Sequence, residues 1–225
     1  MLDFTGSVQP QKCRRVVRAH SLLCVTIIDT IRSRSELWAA ATRHPFLDDV
    51  REGRVSTAAF DTWLAQDVLF VSDLLWFQER LLARAPRSAQ PVLAAGTLGL
   101  TDELGWFEER AGERGLRLDV PPLPATRGYS ALLRSLDGAP YEVAVAGLWV
   151  LERVYLEAWT YASSPAGPYQ VFVAHWTTPE FAGYVAALEK LVEDEPAQAR
   201  TADILALCDE VLSQERAFWD AALES

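Results

Sequence analysis

The sequence predicts an all-α protein, and three observations carry that reading. Apolar residues recur at i, i+3, i+4 and i+7 in segment after segment, the spacing that gives a helix one buried face. No stretch alternates apolar and polar residues around an Asn-Gly or Asp-Gly turn, as a hairpin would. No repeat with a period of about 20–50 residues is present, so a solenoid is not expected.

The helices follow in order. Residues 1–33 form an N-terminal extension that is locally basic and short on periodicity, ending at "RSRS", and 34–225 form the helical domain. Either an accessory helix or an extension of little consequence fits the first part. "SELWAAATR" starts on Ser35 as N-cap and stops before Pro45. Ser56 caps a long helix that runs to Pro86, and another spans about 88–115. "LRLDVPPLPATRG" is a proline-rich connector. Shorter helices follow near 127–136, 140–162, 168–176 and 178–194, with "SSPAGP" as a break, and the last runs near 197–223.

Composition narrows the function classes. With 31 acidic against 21 basic residues the formal charge is −10, a poor match for nucleic acid or an anionic membrane surface. No apolar run approaches the ~18 residues of a membrane span, so no membrane partner is expected. Three cysteines (Cys13, Cys24, Cys208) form no CxxC pair, and no signal-peptide pattern is complete, so the expected compartment is the cytoplasm. The three histidines (His20, His44, His175) show no ExxH or HExxH spacing, and no metal site or cofactor is expected.

Three acids interrupt apolar stripes at their centres. "VAGLWVLERVYLEAW" places Val145, Leu148, Trp149, Leu156 and Trp159 on one face, with Glu152 among them. Asp67 sits amid Phe60, Trp63, Leu64, Phe70, Val71 and Leu74; Glu215 sits amid Leu205, Cys208, Val211, Leu212, Phe218 and Trp219. A carboxylate is costly to bury unless it is paired, hydrogen-bonded or protonated. One such acid usually satisfies a buried arginine, tyrosine or backbone group. Three of them flanked by aromatics, with few basic residues on the same faces, describe a pocket for a flat, polar, nitrogen-rich ligand. Their surroundings push their pKa values upward, which suits proton transfer near neutral pH.

Over about residues 35–223 the chain resembles the TenA family of thiaminase II and aminopyrimidine hydrolases. The likeness lies in "LWAAATRHPFLDDVREG", in "FDTWLAQDVLFV" and in "QERAFWDAA". It implies a haem oxygenase-like helical bundle, a small-molecule pyrimidine substrate and a homo-oligomer, dimer or tetramer. An excess of Trp and Phe over what one small core hides points to an oligomer as well. Many members carry a catalytic cysteine, whose place here falls on Gly147. "AGLWVLERVYLEAW", "DELGWFEERAG" and "HWTTPEF" are similar to a subclass that uses glutamate, so Glu152 stands where the chemistry lost its cysteine.

The resemblance implies roles residue by residue. Asp67 would hold the 4-amino group and ring nitrogen of a pyrimidine, Glu215 would be the general acid/base, and Glu152 the second carboxylate at the reacting methylene. Phe70 and Trp176 stand where tyrosines are common, and Trp106, Phe107, Trp149 and Tyr155 are candidate aromatic walls. Glu103 follows Leu100 and precedes Leu104 and Phe107, facing the pocket as a substrate-binding candidate. The implied activity is hydrolysis of an aminomethylpyrimidine, a thiamin breakdown product, to the hydroxymethylpyrimidine and ammonia. Two other classes fit the same bundle: a pyrimidine binder without catalysis, and an oxidase-like protein. Cys208, seven residues before Glu215 on the same face, reads as a small core residue, since no histidine or lysine accompanies it.

Overall fold

The computed structural model describes residues 26–164, 167–195 and 200–224, and among them every regular element is a helix. The basic opening (residues 1–25, with Cys13, His20 and Cys24) lies outside the described residues.

Ten helices follow in chain order among the described residues: α1 (Ile27–Arg32), α2 (Ser35–Thr42), α3 (Pro45–Arg51), α4 (Thr57–Arg84), α5 (Gln90–Arg114), α6 (Pro124–Gly138), α7 (Tyr141–Ala162), α8 (Gln170–His175), α9 (Pro179–Asp194) and α10 (Thr201–Leu223). Their ends follow local chemistry. Ser56 accepts from Ala59 N–H at 3.0 Å and Thr178 from Phe181 N–H at 3.1 Å, each supplying one of the partners a first helical turn lacks. Gly115 closes α5 at φ 64°, a left-handed conformation that suits glycine.

The break at Pro45 is a new start as well as a stop. Ser35 is the first residue of α2 and caps nothing; Arg34 precedes it without a side-chain cap. His44 caps α3 instead, its Nδ1 accepting from Phe46 N–H at 3.2 Å, while Nε2 donates to Asp220 on α10 at 3.0 Å. Burial holds the His44 pKa below the usual value against the pull of Asp220.

One helix organises the rest. α7 packs against α2, α3, α4, α6, α8, α9 and α10, and every residue from Val143 to Glu152 is buried. A helix apolar on all sides must be surrounded, and α7 is. α4 pairs with α5 on one flank and with α6 on another, and α9 packs on α5 and α7. α1 joins this core through Ile28 and Ile31, both buried, where it meets α9 and α10. No helix among the described residues is long and apolar enough to cross a membrane.

The aromatic residues find their place inside the single chain. Trp63, Trp149, Trp159, Trp176 and Trp219 are all buried, five of the eight tryptophans. Among the described residues, the exposed large apolar ones are Leu37, Leu98, Val171 and Leu223. Excess of aromatics is therefore no argument for an oligomer, because one core absorbs them.

Candidate active site

A cavity of about 360 Å³ opens between α4, α5, α7, α8 and α9. Phe70 and Leu74 reach it from α4, Gly96 and Glu103 from α5, Leu151, Glu152 and Tyr155 from α7. His175 and Trp176 close it at the end of α8, and Phe181 and Tyr184 from α9. Among the described residues, no arginine or lysine is on its wall.

Close helix approach makes the cavity's shape. A Cβ on Gly96 would come within 2.2 Å of Gln78 Nε2 and 2.3 Å of the Tyr184 hydroxyl. Only the missing side chain lets α5 lie so near α4 and α9. The space is used by hydrogen bonds: Gln78, fully buried, donates to Leu93 C=O at 3.0 Å and accepts from Tyr184 at 3.1 Å. About three turns earlier on α4, Gln66 pins the proline connector. It donates to Pro121 C=O at 3.1 Å and accepts from Leu123 N–H and the Thr126 hydroxyl at 2.9 and 2.6 Å. The neighbouring Asp67 is thereby held on a rigid stretch of helix.

Four acids meet in this region, and they differ in how they are held. Glu152 is 4% exposed, stands on the wall, and accepts no hydrogen bond from any described residue. Burial raises its pKa to about 8, and the charge of Glu103 adds to the rise. Glu103, half-buried on the same wall, accepts from Trp176 Nε1 at 2.5 Å; burial raises it to about 7 against that bond. Asp67 accepts from the Tyr155 hydroxyl at 2.8 Å and is pushed well above the usual carboxylate range, first by burial and then by Glu103. Glu215 accepts from the Tyr129 hydroxyl and rises by burial to about 7. No basic side chain acts on any of the four.

The expected residues thus separate into a wall and a layer behind it. Phe70, Glu103, Glu152, Tyr155 and Trp176 line the cavity. Asp67 is one phenol removed, behind Tyr155. Glu215 is further back: Phe70, on the wall, packs on Tyr129 at 4.6 Å, and Tyr129 bonds Glu215. Trp106 stacks on His175 at 3.9 Å and stands edge-on to Trp176 at 5.5 Å, so it backs the wall without forming it. Phe107 lies behind Trp176 at 6.0 Å.

Trp149 is a correction. It turns away from the cavity toward Trp38 of α2 at 6.4 Å, with the Arg32 guanidinium over its ring, because α7 has partners on every side. Gly147 is another. A Cβ there would meet Leu136 of α6 and Leu207 of α10, each at 2.9 Å, so a cysteine at 147 would not face the cavity.

Tyr184, Gln78 and Tyr129 were not singled out from the sequence. Tyr184 shares the i, i+3, i+4 stripe of Phe181, Val185 and Leu188, a signal for burial but not for a site. Among the described residues no three His, Cys, Asp or Glu side chains gather as metal ligands would.

The sequence pattern of the TENA/THI-4/PQQC family matches residues 32–225. A probable bifunctional TENA-E protein of Glycine max is 32% identical over 203 residues, covering 82% of this chain and 87% of the relative. An uncharacterised Schizosaccharomyces pombe protein is 22% identical and covers 89% of this chain and 97% of its own length. A solved TenA homologue from Pyrococcus furiosus superposes with a TM-score of 0.82 at 27% identity, over 87% of this chain and 99% of that one. One from Pyrococcus horikoshii does so at 0.81 with 18% identity, over 89% and 99%, which speaks to the shared fold alone.

Proposed function

Because the chain belongs to the TENA/THI-4/PQQC family, we propose that it is an aminopyrimidine aminohydrolase of thiamin salvage, converting an aminomethylpyrimidine to the hydroxymethylpyrimidine and ammonia. One observation carries the reading. Among the described residues, a buried carboxyl, that of Glu152, stands without a hydrogen-bond partner on the wall of an aromatic cavity to which none contributes a basic side chain. Buried polar groups are rarely left unpaired, and a ligand in the cavity can supply the partner that Glu152 lacks among the described residues. A nitrogen-rich base with an amine arm supplies what the site lacks: donors for carboxylates, positive charge and a flat apolar face.

The bond changes set what the acids must do. The C–N bond breaks with its electron pair going to nitrogen, which leaves as ammonia from the ammonium form. Water oxygen forms the new bond to the methylene, and the proton that water sheds passes to a carboxylate. Glu152, poised near neutrality by burial, serves as that proton carrier. Asp67, on the far side of the Tyr155 hydroxyl, fixes the phenol that meets the ring. Glu215, held by Tyr129 behind Phe70, is a second carboxylate whose pKa burial raises toward neutrality beside the site. Tyr155 and Trp176 give the ring its edges and faces.

The test is direct. Pure protein is incubated with 4-amino-5-aminomethyl-2-methylpyrimidine, and ammonia and the hydroxymethyl product are followed by mass spectrometry. Stoichiometric formation of both is expected. Absence of product, with the protein folded, would remove the enzymatic reading.

A further inference from the structure

We propose that Glu103 is the specificity-determining carboxylate of the cavity: together with Glu152 it holds the ammonium of an aminomethyl substrate and lets the neutral hydroxymethyl product go. This rests on the reading above. The geometry begins with placement. Glu103 from α5 and Glu152 from α7 are the two shielded acids on one wall; Glu180, also on the wall, is solvent-exposed. Trp176 Nε1 fixes Oε1 of Glu103, and no described residue bonds its Oε2. Glu152 offers both oxygens. Three acceptor atoms therefore stand unbonded by described residues at a cavity that no described arginine or lysine lines.

Charge then separates substrate from product. Glu103 is the charged group acting on Glu152, and the strongest charge acting on Asp67. Two neighbouring carboxylates resist joint ionisation, and a cation between them removes that resistance. An ammonium does this and a hydroxyl does not. The amine and alcohol differ in little else, so the preference resides at this pair. Other titratable groups facing the pair are Asp67 through Tyr155, His175 from the end of α8, and Glu180 and Tyr184 from α9. Of these only His175 can become cationic, and burial lowers its pKa, disfavouring that form.

The experiment compares KM for 4-amino-5-aminomethyl-2-methylpyrimidine with Ki for the hydroxymethyl compound as competitive inhibitor. In the unaltered protein the amine is expected to bind at least ~10-fold more tightly. Glu103→Gln should raise KM at least ~10-fold while Ki moves less than ~3-fold, and Glu103→Asp should keep part of the preference. A second measurement needs no variant: from pH 6 to 8 KM for the amine should fall as the acids ionise, while Ki for the alcohol does not. Equal movement of KM and Ki, in the variant or with pH, overturns the proposal and leaves the hydrolase reading standing. No ammonia and no binding of either compound would remove both.

Discussion

Tyr155 donates its hydroxyl hydrogen bond to Asp67 Oδ2 at 2.8 Å, tying the central helix α7 to α4 at the back of the cavity. This is the one hydrogen bond a described residue gives Asp67, which is 1% exposed. Tyr155→Phe therefore leaves a buried carboxyl unpartnered. The expected loss is about 1–3 kcal/mol of stability, the usual penalty for stranding such a group, and it is read by chemical denaturation. An unchanged midpoint would mean that Asp67 is satisfied in some other way.

Stability should fall as pH rises through neutrality. Glu103, Glu152 and Glu215 stand at about 7, 8 and 7 in the fold, against a usual 4.5. A folded pKa above the unfolded one means that the native state binds more protons across that window. The contribution is complete below pH ~4.5 and is lost progressively toward pH ~8. Melting temperatures between pH 5 and 8.5 should decline in the unaltered protein and decline less in Glu152→Gln. Parallel curves for the two would contradict the burial of that charge.

Glu152→Gln should cut aminohydrolase activity by at least ~100-fold, the common scale of an acid/base group. At pH 8 the same variant should melt no lower than the parent, since the neutral amide need not ionise inside the protein. Loss of activity together with collapse of the fold would instead mark Glu152 as structural.

Neither thiol position should matter to the chemistry. Burial pushes the Cys208 thiol up to about 12, far from a nucleophile's range. Cys208→Ser should keep most of the activity. Gly147→Cys places a new thiol against Leu136 and Leu207, and iodoacetamide should reach it only after denaturation. Rapid labelling of the folded variant would put position 147 on the cavity after all.

Gly96→Ala tests the close approach of α5. The added methyl would collide with Gln78 and Tyr184, displacing the Tyr184 hydrogen bond and narrowing the cavity. A cost of about 1–3 kcal/mol is expected, the usual range for overpacking, with a raised KM. A variant as stable and active as the parent would show that the two helices yield easily.

The helices were legible because each carries a stripe that only burial explains, and Ser56, Gly115 and the prolines punctuate them. Pro45 was legible as the stop of the preceding helix, but the role of His44 in starting α3 was not, since one of its partners, Asp220, lies 176 residues away. The acids were legible as misfits in apolar stripes, yet their depth was not. A helix period says that Asp67, Glu152 and Glu215 are buried; it does not say which borders a void and which is sealed behind a phenol. Trp149 shows the same limit. On α7, buried all round, periodicity cannot single out the side that meets the cavity, and a residue three positions from Glu152 faces α2. Glu103 was found from Leu100 and Phe107, its neighbours on a helix with one clear inner face.

The tryptophans of the core are close enough to share an excited state. Trp176 stands at the cavity and lies 4.8 Å from Trp159, which lies 4.9 Å from Trp63, which in turn lies 6.3 Å from Trp219. Energy absorbed by any of these rings migrates among them before emission. A ring seated against Trp176 would thus dim the whole set, and the protein carries its own optical signal of occupancy, with no label attached.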